Sequence, residues 1–461
     1  MGAVAPTYLS FDDTDSLDGM CTTFLATLMV EEFLDMDLIG FPRLVRLNPN
    51  VPWKTRGNAA ICLAFGRGRG RRFQVGEING ERIYSFPDGK RTDSDAIFSR
   101  AKAMVQKHAH LSCENTNPGV VVSERRPSPS IYWRAVREII PLSLAEGAVD
   151  AVGGTIGKFK NGRGVIGSAA SMAWTPRDRT FEVIAYRPQD RIGKPREVDF
   201  DSVDEVDSQY PSTFHNLDRE SRHLAIAPAS PCPVLFGIRG DSPEDLIRAR
   251  EKVISEDPDR WLLFLTNQAT DDHLRKRQIS TLQPRQGVRI TGTVSRRAHD
   301  IPGGHVFFEL SDGSEEVICA VYEPSGKIRN AARALREGDG VEIFGSVREK
   351  PFEVNVEKMN ILNCPIFRIK TENPKCPICG KHMKSAGSGT GFRCRRCGEK
   401  APAESAVFAE LEPPPAGWHE PPVCSRRHLY KPASRFDIKR RPLREIIYSV
   451  QRMDSGSIVD R

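Results

Sequence analysis

Along the first third of the chain, apolar residues recur first every second position and then every third or fourth. "PTYLSF" alternates as a short strand does and runs straight into the acidic "DDTD". In "GMCTTFLATLMVEEFL", Met20, Phe24 and Leu28, with Leu25 and Met29 beside them, fall at helical spacing. "RLVRL" and "NAAICLAF" read as strands joined by the loop "NPNVPWKTRG". "SDAIFSRAKAMVQKHA" gathers Ile97, Ala101, Met104, Val105 and His108 on one helical face. Strands alternating with helices predict an α/β or α+β unit over residues 1–140.

The pattern then shifts. The strands "FEVIAY", "PVLFGIR" and "WLLFLTN", with the helix "SPEDLIRAREKVIS" before the last, suit a ferredoxin-like α+β unit over 141–275. In 276–365, three strands ("GVRITGTVS", "HVFFELSD", "EVICAVY"), a helix ("KIRNAARALRE") and two more strands follow the order of an OB-fold β-barrel. A cysteine-rich piece (366–402) and a basic tail with a helical segment (403–461) complete the expected domains. The fold class predicted is therefore multidomain α+β.

At 461 residues the chain is too long for one core. With 39% hydrophobic residues, no apolar run long enough to span a bilayer and no secretory pattern at its start, it reads as a cytoplasmic protein. The net charge of +7 is concentrated in "GRGRGRR" (Gly66–Arg72) and in Arg426–Arg444, which favours a polyanionic partner. Seven of the eleven cysteines are scattered singly, as reduced thiols are.

The other four cysteines form two knuckles, Cys376-x-x-Cys379 and Cys394-x-x-Cys397, each followed by glycine, with "SAGSGTG" turning between them. Four soft ligands at this spacing predict a structural zinc ribbon, and two adjacent disulfides are the weaker alternative. A ribbon after an OB-fold suits nucleic-acid binding, with Phe307, Phe308, Phe344, Arg289, Arg296 and Arg348 as barrel candidates. Tyr430 and Phe436, interleaved with tail cations, suit an RNA surface.

Asp12, Asp13 and Asp15 stand within four positions at the end of the first strand. One aspartate would cap the following helix. Three repel one another unless a cation lies between them, and hard oxygens are what Mg²⁺ with its phosphates requires. Lys54, Thr55, Arg56, Gly57 and Asn58 in "KTRGN" form a candidate phosphate-binding loop. Thr22 and Thr23 begin the next helix, where a hydroxyl beside phosphate can accept a phosphoryl group. "GGTIGKFKNGRGVIG" sets Lys158, Lys160 and Arg163 among six glycines, an anion-binding pattern or a tight βα connection. The acidic loop "DEVDSQYPSTFHN" offers Asp207, Tyr210 and Phe214 for an organic cation.

Taken together, "FDDTDSLDGMCTT", "GFPRLVRLNPNVPWKTRGN", "NGRGVIGSAAS" and the order of OB-fold then paired C-x-x-C resemble the archaeal isoleucine-tRNA agmatinylcytidine synthetases, the TiaS family, over nearly the whole chain. The resemblance implies an N-terminal kinase-like domain of unusual fold. It also implies that agmatine is attached to C2 of the wobble cytidine in an isoleucine tRNA with a CAU anticodon, so that AUA is read. It further implies ATP cleaved to AMP, phosphorylation of the cytosine C2 oxygen, and autophosphorylation of Thr22. ATP, Mg²⁺ and structural Zn²⁺ are then the expected cofactors, with agmatine around Asp207 and Tyr210 and no obligate protein partner or membrane. "GRGRGRR" has no role that the resemblance supplies.

Two rivals are weaker. Lysidine synthetases modify the same kind of base but carry an SGGxDS loop, absent here. A non-catalytic single-stranded nucleic-acid binder built on the C-terminal half leaves the aspartates, the KTRG loop and the glycine-rich stretch without a purpose.

Overall fold

The structure, a computed structural model, describes residues 5–17, 19–387 and 389–453. The outermost ends of the first and last expected domains, Asp18, and Ser388 in the knuckle turn lie outside the described residues.

The strand Thr7–Asp12 lies between Ala59–Arg69 and Gly119–Ser123, antiparallel to both. Its apolar side chains Leu9 and Phe11 are fully buried. From there one sheet continues through Glu81–Phe86 and Phe73–Ile78 to Arg260–Thr266, Thr180–Tyr186 and Val234–Gly240. The first two units predicted from periodicity thus share a sheet and a hydrophobic core. The helix Gly164–Ala173 packs over the opening strand with nine of its ten residues buried, and its "GSAAS" run lets the backbones approach.

The stretch read as an acidic loop is instead the helix Phe200–Gln209, capped by Asp199, with Val203 and Val206 inward. Its period of three to four apolar positions is short and easily hidden among carboxylates.

The barrel closes as expected. Gly287–Ile301 pairs with Gly340–Arg348, and Cys319–Ala320 runs parallel to Val354–Asn355, around a separate core. A third, small core surrounds Cys376, Met383, Phe392 and Cys394.

Part of the basic tail is folded against the rest of the protein. Gly417–His419 adds to the last barrel strand, and the chain then crosses back to the first sheet, ending in the helix Leu443–Met453. Several of its cations are paired internally, while Lys439, Arg441 and Arg444 stay exposed. Arg435, 1% exposed, bridges Asp241 and Asp178, and Lys431 and Arg440 also pair with Asp178. Tyr430, Phe436, Phe344 and Trp418 close around the Lys358 ammonium at 4.7 to 6.0 Å, so these rings cage a cation of the barrel. Phe308 is core, Phe307 packs edge-on against Tyr322, and Arg289, Arg296 and Arg348 each meet a glutamate. Among the described residues no helix is long and apolar enough to cross a membrane.

Candidate active site

The sheet brings the end of the opening strand to the floor of a cleft of about 560 Å³. Asp12, Asp13, Asp15 and Thr22 line it together with Lys54, Thr55, Arg56, Asn58 and Arg163. Three sequence motifs separated by as much as 150 residues therefore meet.

Close packing shapes this corner. A Cβ on Gly167 would sit 1.8 Å from Asp12 Oδ2, and one on Gly164 would sit 2.5 Å from the Asp12 carbonyl oxygen. Part of the glycine-rich motif thus lets a helix press on the acidic corner, with Arg163 just before it. Asp13 takes a positive φ of 58°, a left-handed conformation that aspartate tolerates better than most residues.

Asp12 is 8% exposed. Burial, then the charge of Asp13, hold its carboxyl well above the usual carboxylate range. Burial also raises Asp13 to about 6, although Arg163 opposes this through Nε at 2.7 Å. A corner that raises two carboxyl groups is short of positive charge, and its all-oxygen donors fit Mg²⁺ rather than a soft metal.

Asp15 has a different task. Cys21 gives the helix Thr22–Glu32 no side-chain cap; Asp15 Oδ1 instead accepts from the Thr22 backbone N–H and, at 2.7 Å, from its hydroxyl. Thr14 donates to the same hydroxyl oxygen at 2.9 Å. Arg56 Nε stands 3.8 Å from Asp15 Oδ2. Burial is the strongest influence on Arg56 and works against its charge, but Asp15 together with Cys21 and Cys232 holds that guanidinium above its ordinary value. The Lys54 ammonium is lowered, by burial and then by Arg427, and it donates to the Pro49 carbonyl.

A second cleft, about 410 Å³, shares Asp15, Thr22, Arg56 and Ala59 with the first. Gly57 belongs here. Ile184, Ala225, Ile226 and Pro228 give it apolar walls, while Arg46, Glu182, Arg239 and His428 supply polar groups. None of those four was a sequence candidate. They come from separate strands and the tail, and no local pattern distinguishes them. Trp53, Glu114, Asn115 and Asn117 of the first cleft were missed likewise, though Asn-rich "CENTNPG" before a strand is the kind of turn that lines sites.

Other candidates lie apart from both clefts. Lys158 Nζ pairs with Glu146 at 2.8 Å, and Lys160 donates to the Cys113 and Glu114 carbonyls. Asp207 pairs with Arg219 at 2.9 Å and accepts from Asn216. Phe214 is buried beneath Arg435, and Tyr210 ends its helix, packed on the core. These three residues line neither cleft.

The Sγ atoms of Cys376, Cys379, Cys394 and Cys397 all lie within 4.8 Å of one another, the nearest pairs at 3.3 and 3.5 Å. A tetrahedron with Zn–S bonds of about 2.3 Å has edges of about 3.8 Å, so this set fits structural zinc.

Comparison with known proteins agrees with this architecture. Residues 8–160 match the TiaS TCKD domain, 162–273 the TiaS FLD domain, 288–362 an OB-fold nucleic acid binding domain and 373–412 the TiaS C-terminal zinc ribbon domain. The isoleucine-tRNA 2-agmatinylcytidine synthetase TiaS of Methanocaldococcus jannaschii is 37% identical, with 94% of this chain and 99% of that protein aligned. The TiaS protein of the same description from Archaeoglobus fulgidus is 38% identical over 94% and 98%. The crystal structure of a TiaS complex with its isoleucine tRNA and ATP superposes with a TM-score of 0.81 at 35% identity, covering 95% of this chain and 99% of that one. That of a TiaS complex with the same tRNA, AMPCPP and agmatine gives 0.78 at 33% identity over the same shares.

Proposed function

The chain belongs to the TiaS family, and from that premise we propose that it is the ligase that joins agmatine to C2 of the wobble cytidine in an isoleucine tRNA with a CAU anticodon. In this reading ATP is cleaved to AMP, and a phosphoryl group is placed on the C2 oxygen of cytosine. That oxygen is a poor leaving group as a carbonyl and a good one as phosphate. The primary amine of agmatine then displaces it.

The observation that carries this reading is the junction of two clefts at Asp15, Thr22 and Arg56. The first, acidic and cationic in turn, suits Mg²⁺ and the triphosphate; the second, with apolar walls, suits the base and the amine. Asp12, Asp13 and Asp15 would hold the metal, which supplies charge neutralisation across the phosphates when bound. Lys54, Arg56 and Arg163, with the Thr55 hydroxyl, the Gly57 backbone and the Asn58 amide, orient the phosphates and stabilise charge as it develops. Thr22 accepts a phosphoryl group, and its hydroxyl proton passes to Asp15, to which it already donates. The zinc ribbon and barrel hold the tRNA body while the target base leaves its stack.

Incubating the protein with isoleucine tRNA, labelled agmatine and ATP should label the RNA and release AMP, with phosphate on Thr22 by peptide mass spectrometry. Undiminished labelling in an Asp12→Ala, Asp13→Ala double variant would refute the assignment of the corner. Phosphate found only on other residues would remove the role of Thr22.

A further inference from the structure

An amine that displaces phosphate must lose a proton, and the carboxylates at the cleft junction are committed elsewhere. Asp15 Oδ1 is occupied by Thr22, and Glu182 accepts from Arg239 at 3.0 Å and from the Gln268 amide. Of the uncharged groups that line the second cleft, which include the Cys21 and Cys232 thiols, the basic nitrogen belongs to the imidazole of His428, carried in by the C-terminal strap and anchored through its carbonyl to the Ala269 N–H at 2.8 Å.

The tautomer of that ring follows from its neighbours. Gln268 uses its Nε2 hydrogen on Glu182, so its Oε1 is the atom facing His428 Nδ1, at 3.0 Å. An amide oxygen only accepts, so Nδ1 carries the hydrogen and the lone pair of the neutral ring lies on Nε2. Among the described residues nothing hydrogen-bonds that nitrogen. Gly57 faces it: a Cβ there would stand 3.0 Å from Nε2 and 2.5 Å from Arg46 Nη1, so glycine leaves the atom clear.

Burial, followed by Arg46, Arg239, Lys54 and His215, holds the His428 imidazole well below its ordinary pKa and therefore neutral. The same cations disfavour an ammonium and an imidazolium alike, so an alkylamine entering this cleft is driven toward its free base and the ring can hold a proton only in passing, as the phosphate departs.

We infer that His428 is the general base of the bond-forming step, receiving on Nε2 the proton released by the attacking amine. The amine lone pair forms the new bond to C2, the bond from C2 to the phosphorylated oxygen breaks, and its electron pair leaves with inorganic phosphate. One N–H proton passes to Nε2. The inference rests on the ligase reading above, since it assumes an amine nucleophile and an activated C2 oxygen.

The full chain with isoleucine tRNA, ATP and labelled agmatine tests it. His428→Asn keeps an N–H toward Gln268 and removes the lone pair. Agmatine transfer should slow by about 10²–10⁴-fold, with KM for agmatine roughly unchanged and single-turnover AMP release retained. His428→Ala should regain transfer on addition of free imidazole. If the unaltered chain transfers agmatine and His428→Asn does so at the same rate, the inference fails and the ligase reading survives. If both variants lose AMP release along with transfer and imidazole restores neither, His428 is structural and the inference also fails. If the unaltered chain transfers nothing, the ligase reading fails first.

Discussion

The zinc ribbon and the aspartate corner both gather metal-seeking side chains, but the chain builds them by different routes. The four thiols span 22 positions, Cys376 to Cys397, and lie in a core of their own. The corner takes Asp12 to Thr22 from one end of a strand, the KTRGN loop from another, and Arg163 with Gly167 from a helix about 150 residues away. The ribbon has so small a core that its fold is expected to depend on its metal. The corner is built on a large sheet, and burial there keeps two carboxyl groups above their ordinary range. Local assembly gives a durable clamp, whereas long-range assembly gives an electrostatically poised site.

The largest test of that contrast is zinc removal. Binding energies of structural zinc in small motifs run to about 10–16 kcal/mol, so a strong chelator should unfold the ribbon. The sheet should keep its melting transition and its nucleotide binding, while tRNA affinity falls. Loss of nucleotide binding on chelation would break the comparison.

Next is the strap. Arg435→Ala removes the buried guanidinium that bridges Asp241 and Asp178 and leaves those half-buried carboxylates to Arg440 and Lys431, a loss of about 1–3 kcal/mol by thermal or urea unfolding. Because the same strap carries His428, agmatine transfer should fall faster with temperature in this variant than in the parent.

Gly167→Ala comes third. The added methyl collides with Asp12, which should lower stability by about 1–3 kcal/mol and shift the metal-dependent nucleotide affinity more than the melting temperature. A variant with unchanged nucleotide affinity would show that the helix does not position the carboxylate.

The smallest effect is in the pH profile. Asp13 titrates near 6 in the folded chain, above its unfolded value, so between roughly pH 4 and 6 the folded state holds a proton that the unfolded state has released. That contribution to stability is present at low pH and disappears as pH rises through about 6. Asp13→Asn should remove this part of the slope. Metal and nucleotide should bind less tightly to the parent below pH 6, since protons compete for the same oxygens.

Much of this was legible beforehand because the relevant signals are local. Strand and helix periods located the barrel and the sheet strands, and C-x-x-C spacing located the zinc ligands. Three aspartates at a strand end marked the corner, since their repulsion has no local remedy. Tertiary structure decided the rest. It turned Lys431, Arg435 and Arg440 and the rings of Tyr430 and Phe436 inward, because Asp178, Asp241 and the Lys358 ammonium wait for them across the fold. It made "DEVDSQY" a helix and paired Asp207 with Arg219. It also formed the second cleft from Arg46, Glu182, Arg239 and His428, single residues whose meaning arises only from proximity. Sequence by itself determined which elements form and which short motifs can ligate, since those depend on neighbours along the chain. Which charges stay free for substrates was decided only in three dimensions, because Coulomb energy and burial depend on distances that the order of residues does not contain.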